Sequence, residues 1–120
     1  MASEHFQPVA SMDPHEQRRM KVYLEQIDRA TFEANRQVLA REVGRVDLEH
    51  FKRLATNASA ARAEWVAVAL ELSNRLHIPT QEETARLAHL RAAYEELSEA
   101  YNAIRRMVER GYLCYLSHGP

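Results

Sequence analysis

The 120-residue chain is poor in the residues that punctuate a fold, with three glycines, four prolines and a single cysteine, Cys114. So little glycine and proline excludes collagen-like and linker-like chains, and one thiol excludes an internal disulfide. Charge of one sign is not in excess either. Sixteen Lys and Arg face seventeen Asp and Glu, for a formal net charge of −1. Nothing in that balance drives nucleic-acid binding by counterion release, and none is expected. Long hydrophobic runs are missing as well. The stretch Trp65 to Leu70 lies between Glu64 and Glu71 and falls far short of the roughly 20 residues that span a bilayer. The opening MASEHFQPVA has neither a basic n-region nor an apolar h-region, so the expected location is cytoplasmic. The three glycines Gly44, Gly111 and Gly119 stand far apart, which leaves no phosphate-cradling loop and no nucleotide hydrolysis.

What is present is a helical pattern. Hydrophobic residues make up 46% and charged residues 28%, a composition that folds. Asp13, Pro14 and Glu16 read as an N-cap, a ring that presets φ, and a first-turn carboxylate. From there Met20, Leu24, Ile27, Thr31, Ala34 and Val38 alternate steps of four and three and form one stripe, which Gly44 ends. Asp47 offers a second N-cap, followed by a stripe through Leu48, Phe51, Ala55, Ala58, Arg62, Trp65, Ala69, Leu72 and Leu76 that Pro79 stops. Thr80 with Glu83 is a capping box, and Leu87, Leu90, Tyr94, Leu97, Tyr101, Ile104 and Val108 form the third stripe, closed by Gly111. The expected fold is all-α: an antiparallel three-helix bundle with coiled-coil-like packing, helices near 13–43, 47–77 and 80–110, and possible completion by oligomerisation. Residues 1–12 read as an N-terminal extension and 112–120 as an apolar C-terminal tail. Strand signals are almost absent.

The stripes leave apolar side chains over. Trp65-Val66-Ala67-Val68-Ala69-Leu70 is apolar around nearly two full turns, Val22, Tyr23 and Phe32 flank the first stripe, and Tyr112-Leu113-Cys114-Tyr115-Leu116 carries no charge. Two readings stand side by side. The tail, with Phe6, Val9 and Met12, folds back over the bundle, or Trp65, Val66, Val68, Leu70, Tyr112, Leu113, Tyr115 and Leu116 form an oligomer interface or a docking face.

Chemistry-bearing groups are sparse. Asp47-x-x-His50 has the spacing of carboxylate-bridged di-iron bundles, but the inward stripes hold no further Glu or His, so no metal and no cofactor is expected. Cys114 has His118 four residues on, yet a chain terminus preorganises no nucleophile, and an enzyme is not expected. Arg62 interrupts the second stripe and is expected to reach the surface or pair with a glutamate. The junctions at Gly44 and at Ile78-Pro79 resemble helix-turn-helix turns only in part, because Phe51, Leu54 and Leu87 fall one place late for a DNA reader.

The segments Ala34 to Ala40 and Glu49 to Ala55 resemble the layout of phasins, the small helical proteins of polyhydroxyalkanoate granules. Ile78-Pro79-Thr80-x-x-Glu83, entering a leucine-stepped helix, is similar to a segment of polyester-synthase accessory subunits. That resemblance implies a non-catalytic coat on an apolar polymer surface. Fourteen arginines against two lysines fit a GC-rich bacterial genome. The expected function is a non-enzymatic interaction protein that self-associates or docks a helical partner; a granule coat, a carboxylate–histidine metal bundle and a DNA-binding regulator are the alternatives.

Overall fold

The computed structural model of the chain describes residues 11–117, and the three expected helices are all present. Helix α1 spans Pro14–Glu42, α2 Leu48–Ser73 and α3 Gln81–Glu109. Each starts where a side-chain acceptor caps its first free amides. Asp13 accepts from the Glu16 N–H at 2.8 Å, Asp47 from the His50 N–H at 3.1 Å and Thr80 from the Glu83 N–H at 3.2 Å. Both glycines expected as stops adopt positive φ, +82° at Gly44 and +79° at Gly111, a conformation that strains any L side chain. At Gly111 the bonds Gly111 N–H to Val108 O and Tyr112 N–H to Met107 O complete the two-bond Schellman closure.

The second helix ends earlier than the stripe implies. It stops at Ser73, and Leu76, expected in the core, is fully exposed. The backbone closes tightly there, with the Asn74 and Arg75 amides donating three residues back to Glu71 and Leu72, so the chain leaves the helix well ahead of Pro79. Arg75 then bridges the turn, 3.1 Å from Glu71 and 2.7 Å from Glu83.

Helices α2 and α3 run in opposite directions along one another. Phe51 meets Tyr101 edge-on with ring centroids 5.5 Å apart, Arg62 lies over the Tyr94 ring at 5.3 Å, and Glu64 pairs with Arg86 at 2.8 Å. Arg62 is exposed, so it reaches the surface as expected, and it does so across the face of an aromatic ring rather than beside a glutamate. Ala58 and Leu90 are the buried residues of these two helices.

Two short strands also form, which the sequence pattern did not announce. Strand β1 (Arg45–Asp47) pairs in parallel with β2 (Cys114–Leu116), with Val46 opposite Tyr115. Three residues are too few to carry a period-two signal. The pairing makes a small junction core, where Val46 and Leu113 are the most buried residues described, Phe32 of α1 touches Tyr112 at 4.9 Å, and Phe51 approaches Tyr115 at 6.3 Å. Both α1 and α3 therefore end at one small sheet. No described helix is long and apolar enough to cross a membrane.

The third rod of the expected bundle is placed differently from the other two. Helix α1 has no buried residue, and it makes no extensive contact with α2 or α3. The Cα radius of gyration is 23.7 Å, against about 14 Å for a compact chain of this length.

Candidate functional site

Helix α1 carries apolar residues on two faces. At 100° per residue, Phe32 and Leu39 share one side, while Met20, Leu24, Ile27, Thr31, Ala34 and Val38 centre nearly a third of a turn away. The chain uses the first face. Phe32 packs on Tyr112, and its ring lies 3.6 Å from where a Cβ on Gly111 would sit. Leu39 and Val38 border a groove of about 470 Å³ between α1 and the end of α3, closed by Met107 and Tyr112 and edged by Arg106 and Arg110. Of the second face, Val38 borders that groove and Met20 is half-buried, but the stretch between Met20 and Phe32 is left to solvent. Every residue from Lys21 to Thr31 is exposed, including Val22, Tyr23, Leu24 at 47% and Ile27 at 58%.

The interaction residues expected from the sequence divide into two groups. On α2, Val66, Leu70 and the ring of Trp65 are exposed, while Val68 is half-buried. Trp65 borders a pocket of about 230 Å³ with Arg62, Arg91, Tyr94 and Glu95, so its ring sits at the α2–α3 seam. In the tail, Leu113 is 5% exposed and so is spent inside its own chain, which corrects its placement on an interface. Tyr112 is half-buried against Phe32, and Tyr115 and Leu116 are partly exposed on β2. The tail up to Leu116 folds back on the chain, whereas Met12, just before α1, is half-buried with its carbonyl accepting from the Gln17 side-chain amide at 2.8 Å. Phe6 and Val9 lie outside the described residues. Sequence reasoning underweighted α1, whose stripe was assigned to the bundle interior; the exposed Val22 and Tyr23 beside it were the available signal.

Two of the chemistry-bearing groups cap a helix. Asp47 and His50 cap α2 reciprocally, since the His50 Nδ1 accepts from the Asp47 N–H at 3.1 Å. Among the described residues no three His, Cys, Asp or Glu side chains gather as a metal site. Cys114 is exposed on β2. Glu83 is the one group with a resolved shift: the Thr80 backbone N–H, its hydroxyl, and the charges of Arg75 and His77 hold its carboxyl below the usual value, against a smaller opposing effect of desolvation.

Surface area gives the scale of what is left uncovered. The chain exposes 9805 Å², where a compact monomer of its mass exposes about 6,700 Å². No family model, curated protein or solved structure matches the chain.

Proposed function

We propose that this protein is a non-enzymatic helical interaction module, acting in the cytoplasm, that self-associates or docks a helical partner through apolar faces its own chain leaves uncovered. One observation carries the reading: eleven consecutive exposed residues, Lys21 to Thr31, hold four sizeable apolar side chains on a helix that is otherwise anchored at one end only. Such a face forgoes stabilisation of roughly 25 cal/mol per Å² until something covers it. Val66, Leu70 and Trp65 extend the uncovered apolar surface onto α2. Light scattering of the purified full chain tests this. The expected result is a mass above 13.9 kDa that rises with concentration, or strong binding of an apolar dye. A monomer across the micromolar range that binds no such dye overturns it.

The same exposed stripe supports a second reading, a phasin-like coat in which α1 lies on an apolar polymer granule. A fluorescent fusion that decorates polyester inclusions, and stays diffuse in cells without them, is the outcome that would favour it over protein–protein association.

A further inference from the structure

We propose that the N-terminal half of α1 pairs with the same segment of a second copy of this chain, antiparallel across a two-fold axis passing between Glu25 and Gln26. This rests on the reading of the protein as an interaction module and names the partner and the register. A two-fold contact must be self-complementary, with each residue meeting a counterpart that meets it in return. With the axis at that point, Leu24 of one copy stands opposite Ile27 of the other, and Met20 opposite Thr31, so the stripe closes on itself in alternating core layers. The flanking positions then bring Lys21 of each copy opposite Asp28 of the other. Neither side chain has a partner among the described residues, and unlike charges at these flanks select the register.

Three further observations favour this arrangement. The segment is exposed on every side from Lys21 to Thr31, so the chain's own body does not block a second helix. The face that docks on the chain, through Phe32, is turned nearly a third of a turn from the stripe, so the dimer would leave the anchor in place. The two side chains nearest the axis, Leu24 and Ile27, are 47% and 58% exposed, so a second copy has apolar surface there to cover. The competing register, one heptad along, sets Ile27 against Thr31 but places Asp28 against its own copy and Lys21 against Asn35, which puts like charges beside the axis.

Sedimentation equilibrium of the full chain and four variants tests the proposal, with circular dichroism confirming unchanged helix content. The parent should reach twice 13.9 kDa. Lys21→Glu alone and Asp28→Lys alone should each raise the dimer Kd about tenfold, since the symmetry converts two attractive contacts into repulsive ones. The double variant Lys21→Glu/Asp28→Lys should restore it, and Leu24→Asp should abolish the dimer. An associating parent whose Kd ignores the single charge reversals, or is not rescued by the double, overturns the pairing while leaving the interaction module standing. So does a monomer that binds an apolar dye; a monomer that binds none overturns both.

Discussion

The α2–α3 pair and α1 are made of the same material, helices of 26 to 29 residues with a three-four apolar stripe, yet only the pair spends its stripes inside the chain. The difference lies in the links. Between α2 and α3 the chain turns through a short segment that Arg75 bridges, from Glu71 to Glu83, and the two helices lie alongside each other. Between α1 and α2 the segment after Gly44 becomes an extended strand that pairs with the tail. That pairing takes up the link and anchors α1 by its end, through Phe32 on Tyr112, rather than by its stripe. A stripe supplies the tendency to pack, and the geometry of its connection decides whether a neighbour in the same chain is within reach.

The contrast can be broken most forcefully in the pair. Leu90→Ala should cost about 2–4 kcal/mol in urea unfolding, because Leu90 is the buried residue of α3. Leu24→Ala, measured in dilute protein where association is absent, should cost less than about 0.5 kcal/mol, because that side chain faces solvent in the single chain. If the two substitutions cost the same, α1 packs on its own hairpin in solution and the contrast disappears.

A smaller effect is expected at the anchor. Gly111 sits at φ +79°, and a Cβ there would meet Phe32 only at an ordinary 3.6 Å. Gly111→Ala should therefore cost about 1 kcal/mol from backbone strain alone, with a weakened near-ultraviolet signal from the Phe32–Tyr112 contact. A neutral result would show that the tail is not held in this conformation.

The smallest effect is at the turn that keeps the pair together. Because the Glu83 carboxyl is held below its unfolded value by the Thr80 amide and hydroxyl and by Arg75 and His77, its contribution is present above the ordinary glutamate range. It is lost as pH falls through the lowered folded value. Glu83→Gln should lower stability near neutral pH and flatten its decline in acid; an acid limb identical to the parent's would remove Glu83 from the account.

Much of the helical layout was legible. Asp13, Asp47 and Thr80 start helices within a residue of the expected positions, and Gly44 and Gly111 close them, because capping is a local transaction between a side chain and the amides three residues on. Leu76 was misplaced in the core because a periodic apolar letter continues past the point where the backbone turns. The strands at 45–47 and 114–116 left no trace in the sequence pattern because parallel pairing joins segments far apart in sequence. Leu113 could have faced outward or inward by its letters alone, and the strand pairing put it inside.

The amino-acid order by itself determined that the chain forms three long helices, where each begins and where the first and third end, and that their apolar content exceeds what one stripe each requires. Only the tertiary structure decided which helices meet, that the tail returns to the chain as a strand, and that α1 is the helix left with an open face. The division follows from range: caps, glycine stops and heptads act over a few residues, while the choice of packing partner depends on where each connection aims the helix it carries.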